Sequence, residues 1–269
     1  MPEGDSAYRV AAQLDRALSG RILTQFQIRT GALAREDLSG ETVQNAEAFG
    51  KHIIVRIGEY SLHSHMLMDG TWHLYLPGTR WRRPAYQARL VLGNDQVQAV
   101  GFLVGKIRLV RTDQESKLVG HLGPDPLKPE WNNGGLEKAA RNLAADHRSI
   151  HVALLDQSNV AGFGNEYANE ICFLAGIDPA APAVQMDVQR CLVLGARLIR
   201  ANLGRVERTT TGDTSPGKRL YVYGRAGQPC RRCGETIRFT RLGATPSSMR
   251  HVYWCPNCQS LEMNRDLRQ

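Results

Sequence analysis

The chain has 269 residues, 42% of them hydrophobic and 22% charged, which excludes a disordered or fibrous protein and allows two domains. No apolar run is long enough to span a bilayer, and the acidic start lacks the basic-then-apolar pattern of a secretory signal, so a soluble cytoplasmic protein is expected. The net charge is +8, and residues 217–269 hold ten Lys and Arg against three acids, a concentration that suits a polyanion such as nucleic acid.

The chain opens MPEGD. Pro2 and Glu3 suit the first turn of a helix. If Met1 is removed, they also place a secondary amine beside a carboxyl, a nucleophile beside a proton donor. Residues 6–18 carry Ala7, Val10, Ala11, Leu14 and Leu18 at helical spacing, and Gly20 ends the run. Strands are expected at 21–28, 52–57, 61–67, 71–76, 88–93 and 96–104, the last two joined by a Gly-Asn-Asp turn. One helix and a β-sandwich are therefore expected over residues 1–120. Residues 121–135 are rich in Pro and Gly and read as a linker. Helices follow at 136–146, 150–157, 165–176 and 185–204, then the polar run RTTTGDTSPGKR.

Four of the six cysteines fall as Cys230-x-x-Cys233 and Cys255-x-x-Cys258. Two such knuckles match a closed tetrahedral site holding one structural zinc ion, and in a reducing compartment they favour metal over disulfides. So short a segment draws much of its folding energy from the metal. The stretch between the knuckles alternates apolar and polar at both ends, as a β-hairpin does, with Arg250 toward its tip. Arg250 suits either a phosphate or plain solvent. Cys172 and Cys191 stand alone in apolar helical settings and read as core. In LLDQSNVAGFGNEYANE an apolar helix meets a Gly-rich turn and a new helix begins near Asn165. Such a helix start either receives a phosphate or simply turns the chain.

Taken in order, these pieces resemble one family. Pro-Glu-Gly-Asp, Phe49-Gly-Lys51, His65-x-x-Met68-x-Gly70, Leu-Leu-Asp-Gln with Gly-x-Gly-Asn165-x-Tyr167-Ala168-x-Glu170, Tyr223-Gly224-Arg225 and the Cys₄ hairpin look like the formamidopyrimidine-DNA glycosylase and endonuclease VIII family of bacterial base-excision enzymes. The resemblance spans essentially the whole chain. It implies an α+β fold: an N-terminal helix with a β-sandwich (1–120), a helix–two-turn–helix DNA-binding domain (136–216) and a zinc finger (217–269). It implies a monomer acting on damaged DNA, as a bifunctional glycosylase and abasic-site lyase.

The resemblance also implies roles. Pro2 is the nucleophile that forms a Schiff base with the sugar, and Glu3 the proton donor. Lys51, which alone reads as an edge-strand charge, matches the lysine that contacts phosphate near the lesion. Asn165 and Arg250 match phosphate clamps on the flipped nucleotide. Met68, otherwise core filler, matches the wedge that fills the void in the duplex, with Leu67 its neighbour.

The 8-oxoguanine branch carries an arginine–phenylalanine pair in a sandwich loop, and the comparable stretch QAVGFLVGKIRLV has none. The segment before Tyr221 is also shorter than that branch's capping loop. Both departures favour the endonuclease VIII branch and oxidised pyrimidines over 8-oxoguanine and ring-opened purines. A non-catalytic DNA-binding protein of this fold would not need Pro2 and Glu3, and a zinc-ribbon module on another scaffold would not explain the N-terminal motif.

Overall fold

The computed structural model describes residues 2–243 and 245–259, which fall into two compact units, 1–121 and 122–269. Residues 260–269, the end of the expected zinc-finger segment, lie outside the described residues. Among the described residues no helix is long and apolar enough to cross a membrane.

The first unit begins with α1 (Gly4–Leu18), whose apolar residues at positions 7, 10, 11, 14 and 18 form one buried stripe. The stripe packs on two antiparallel four-stranded sheets. Their strands are β1 (Gln25–Ile28), β2 (Val43–Phe49), β3 (His52–Ile57), β4 (Tyr60–His65), β5 (Thr71–Tyr75), β6 (Ala88–Gly93), β7 (Gln98–Phe102) and β8 (Lys106–Arg111), followed by a single helical turn, α2 (Ser116–Val119). One sheet has the order β1-β6-β7-β5 and the other β2-β3-β4-β8. Phe26, Leu90 and Leu92 from the first sheet and Ile53, Val55 and Leu62 from the second share one core with Leu14 and Leu18. Each such side chain contributes roughly 1.5–3 kcal/mol by burial. The sandwich and its leading helix are as expected, but β2 and β8 add two strands that the alternation pattern did not mark.

The second unit contains α3 (Gly135–Ala144), α4 (Ile150–Leu155), α5 (Asn165–Ala175) and α6 (Val188–Ala201). Leu143, Ile150, Leu154, Phe163, Tyr167, Ile171, Leu192 and Ile199 form its core, which also takes in Trp131. Gly195 lets α6 approach: a Cβ there would lie 2.4 Å from the Phe163 ring. α6 starts at Val188 because the Asp187 side chain accepts the Arg190 N–H at 2.9 Å, an N-cap that shortens the helix read from periodicity alone. α5 is buried nearly all round. Tyr167 and Ile171 face the helices, while Phe173 joins Val222, Ile237 and three of the paired cysteines in a smaller cluster. The chain ends its described part in the antiparallel hairpin β9 (Arg238–Leu242) and β10 (Arg250–Trp254).

Candidate active site and metal centre

In the first unit, Glu3 is the N-cap of α1: its backbone is extended and its carbonyl accepts the Ala7 N–H at 3.0 Å. The Glu3 side chain is wholly buried and Pro2 is half-buried. Glu3 thus sits at the positive end of the α1 dipole, with Pro2 immediately before it.

Lys51 sits in the two-residue turn between β2 and β3. Gly50, at φ 56°, takes the first turn position, the arrangement of a tight hairpin that leaves Lys51 at the sheet's end. The structure brings Lys51 beside His65, whose imidazole is held down to about 4 by burial first and then by Lys51 and Lys106. His65 pairs with His52 across the ladder, and His63 lies two residues along on the same face. His52 Nδ1 and His63 Nε2 share a hydrogen bond of 2.8 Å, their rings stack at 5.0 Å, and His121 meets His52 edge-on. Burial first, and then the cost of adding charge beside the other imidazoles, Lys106 and, for His63, Arg108, hold His52 to about 3 and His63 to about 4, so these rings are neutral near pH 7. The Leu67 N–H donates to His65 Nδ1 at 3.0 Å, so the proton of neutral His65 resides on Nε2. The histidine cluster was not singled out from sequence; its signal was His63-x-His65, which alternation places on one face.

Met68 occupies the loop between β4 and β5 and is 60% exposed, which removes the core-filler reading. The loop is tight: Gly70 N–H donates to Met66 O at 3.0 Å, and a Cβ on Gly70 would come within 2.3 Å of that oxygen. Leu67 beside it adopts φ 56° and is 40% exposed. A non-glycine residue held left-handed stores strain, and here it presents an apolar tip.

In the second unit, Gln157 staples the Gly-rich turn. Its amide donates to Leu155 O and Phe163 O at 2.9 Å each and its oxygen accepts the Gly162 N–H at 3.0 Å. The turn delivers Asn165 to the first position of α5. Asn165 is buried and donates through Nδ2 to His251 O at 3.0 Å, while Asn169 Oδ1 accepts the Tyr253 N–H at 2.6 Å. Two asparagines one turn apart thus hold β10, and Asn165 lies against the residue that follows Arg250. Arg250 is exposed, and among the described residues its guanidinium donates to Met249 O at 3.0 Å. Glu170, one residue beyond Asn169, is fully buried and accepts the N–H groups of Tyr221, Val222 and Tyr223 at 2.8, 2.8 and 2.9 Å and the Thr210 hydroxyl. In sequence this glutamate was part of a motif, but no spacing rule identified its partners.

The Sγ atoms of Cys230, Cys233, Cys255 and Cys258 lie within 4.8 Å of one another, with Cys230–Cys258 at 3.9 Å and Cys233–Cys255 at 3.4 Å. Tetrahedral Zn–S bonds of about 2.3 Å would set sulfurs roughly 3.8 Å apart, so the donor set fits such an ion. The N–H groups of Arg232 and Cys258 point at the sulfurs of Cys230 and Cys255, each at 3.4 Å, and favour thiolates. Cys172 and Cys191 are buried elsewhere, and burial pushes the Cys191 thiol up to about 12.

A helix-led β-sandwich followed by a helical unit with a Cys₄ hairpin defines a narrow class of protein. Residues 1–102 match the formamidopyrimidine-DNA glycosylase N-terminal domain and residues 122–212 the formamidopyrimidine-DNA glycosylase H2TH domain. The chain belongs to the formamidopyrimidine-DNA glycosylase family. It is 43% identical over 266 residues to the probable endonuclease 8 2 of Streptomyces coelicolor, covering 97% of this chain and 94% of that protein. It is 41% identical over 262 residues to the DNA-(apurinic or apyrimidinic site) lyase Nei2 of Mycolicibacterium smegmatis, covering 97% and 99%. Among solved structures it resembles the Lactococcus lactis Fpg bound to DNA containing an abasic site, with a TM-score of 0.77, 25% identity and coverage of 96% and 99%.

Proposed function

We propose that this protein is a bifunctional DNA glycosylase and abasic-site lyase of the bacterial cytoplasm that removes oxidised pyrimidines from DNA, acting as a monomer. The observation that carries the reading is the start of α1. A proline able to become the terminal amine is joined to a fully buried glutamate at the positive end of a helix.

Pro2 nitrogen attacks C1′ of the flipped nucleotide. The N–C1′ bond forms as the bond to the base breaks, and the base leaves with a proton. Glu3 protonates the sugar ring oxygen, the ring opens, and an iminium joins Pro2 to C1′. The iminium withdraws electrons from C2′, whose proton is then lost. β-Elimination expels the 3′ phosphate and δ-elimination the 5′ phosphate, and water releases Pro2. Lys51 and His65 Nε2–H are donors suited to phosphate oxygens beside the lesion. Met68 enters the space left by the flipped nucleotide. In the second unit, Asn165 and Arg250 grip the backbone, with Arg250 carried on the hairpin that a zinc ion on the four cysteines would fold.

The substrate choice is supported by the loop before Tyr221. It is short and closed on itself: Thr210 and Thr211 N–H and the Thr209 and Thr211 hydroxyls all reach Arg219 O. Such a loop offers little enclosure for a bicyclic base, whereas a non-planar pyrimidine needs less and costs less to flip. Single-turnover excision from matched duplexes tests this. Thymine glycol, dihydrouracil or 5-hydroxypyrimidines are expected to leave faster than 8-oxoguanine opposite cytosine; the reverse order would move the protein to the 8-oxoguanine branch.

A further inference from the structure

β5 and β6 both run antiparallel to β7, with Thr71 and Ala88 each paired to Phe102. The chain between them, residues 76–87, therefore returns the length of the sheet across its outer face. Trp81 anchors this strap, edge-on to Phe102 at 5.8 Å with Nε1 donating to Gln98 Oε1 at 2.6 Å. The Arg82 N–H donates to the Tyr75 hydroxyl at 3.2 Å, and Arg29 bonds Ala85 O at 3.2 Å. The strap ends where Leu103 N–H donates to Gln87 O at 2.9 Å. Two residues on, Gly105 lies beneath the Leu67 side chain, so the strap runs up to the Met68 loop.

From Leu76 to Asn94 the sequence holds Arg80, Arg82, Arg83 and Arg89 and no acid. Elsewhere in this unit Arg21, Arg56 and Arg111 pair with carboxylates; among the described residues these four do not. Arg80 and Arg82 are exposed, and Tyr86 is 77% exposed. Residues 79–85 line an open hollow of about 560 Å³. Arg83 Nη1 lies out of solvent without a hydrogen-bond partner, a donor that an anion would satisfy.

We propose that this arginine strap is a second phosphate-binding surface, which takes the DNA backbone flanking the lesion. The proposal rests on the reading of Met68 as the wedge. A five-residue strand spans about 14 Å, roughly four base-pair steps of 3.4 Å. The strap thus reaches phosphates about four steps from the wedge. It strengthens binding without touching the reacting atoms.

The test measures DNA affinity against salt for the full chain and for R80Q/R82Q/R83Q, on lesion duplexes with flanks of about 3 or about 10 base pairs. On the long duplex the variant's log–log salt slope is expected to fall by about 2–3, at about 0.9 per phosphate contact. The short duplex and excision at saturating protein are expected to be unchanged. R80K/R82K/R83K is expected to keep the slope. R80Q/R82Q, which spares the partly buried Arg83, is expected to lose about 1–2. An unchanged slope on the long duplex, or an equal loss on both lengths, overturns the proposal. So does retained DNA binding with lost affinity for polyglutamate, which would mark a surface for acidic protein. The same slopes are read on long undamaged duplex, where no base leaves, so failure of the glycosylase reading does not erase this result.

Discussion

Removing the Glu170 carboxylate should loosen the start of the metal-binding segment. The side chain is fully buried and receives three consecutive backbone N–H groups, from Tyr221, Val222 and Tyr223, at 2.8–2.9 Å. In Glu170→Ala all three donors lose their acceptor. A buried donor left unpaired costs roughly 1–3 kcal/mol. Val222 is fully buried, whereas Tyr221 and Tyr223 lie nearer solvent, where water recovers part of the loss. The sum is about 3–5 kcal/mol. Glu170→Gln keeps an oxygen for Val222 and Tyr223 but turns an NH₂ toward the Tyr221 N–H, and should cost about 2 kcal/mol. Amide hydrogen exchange at residues 221–223 reads the effect directly. Exchange is expected to rise by about a hundredfold to a thousandfold in Glu170→Ala, at roughly 1.4 kcal/mol per decade, with α6 still protected. Unchanged protection at those residues would refute the view that Glu170 pins this segment.

The metal centre is expected to hold one zinc ion per chain. Chelation should release four titratable thiols from Cys230, Cys233, Cys255 and Cys258 and abolish DNA binding, as read by thiol titration and gel shift; binding that survives complete metal removal would separate the hairpin from the metal. Acid should weaken the first unit. His52, His63 and His65 titrate near 3, 4 and 4 when folded, against about 6.5 in an unfolded chain. Between those values the unfolded chain binds more protons, so stability present above pH 6.5 is lost as pH falls toward 4, by roughly 1–3 kcal/mol per imidazole. Urea midpoints at pH 7 and pH 5 should show this loss and a smaller one in His63→Gln; equal losses would exclude His63 from the effect.

The periodic elements were legible because their apolar faces are continuous. α1 shows one stripe, and β3 and β6 carry uninterrupted buried runs. β2 was not, because a bulge between Val43 and Asn45 breaks its alternation and leaves only three of seven residues buried. β8 is an edge strand with no fully buried residue, so KIRLVR carries too little hydrophobic contrast. The cysteine centre was legible from spacing alone, since two Cys-x-x-Cys knuckles admit few alternatives. The histidine cluster needs the His52–His65 register, which no local pattern specifies. Glu170 was opaque for a related reason: its partners lie 40 to 53 residues away and are mostly backbone, which carries no side-chain signature.

The central claim is that the amine of Pro2 is the nucleophile. Borohydride reduction during reaction with an abasic-site or thymine glycol duplex tests it most directly, with the adduct mapped by peptide mass analysis. The adduct is expected on the N-terminal proline. It should be diminished in Pro2→Gly, whose primary amine replaces the secondary one, and absent from a protein carrying extra residues before Pro2. An adduct mapped to a lysine, or trapping undiminished by the N-terminal extension, would contradict the account.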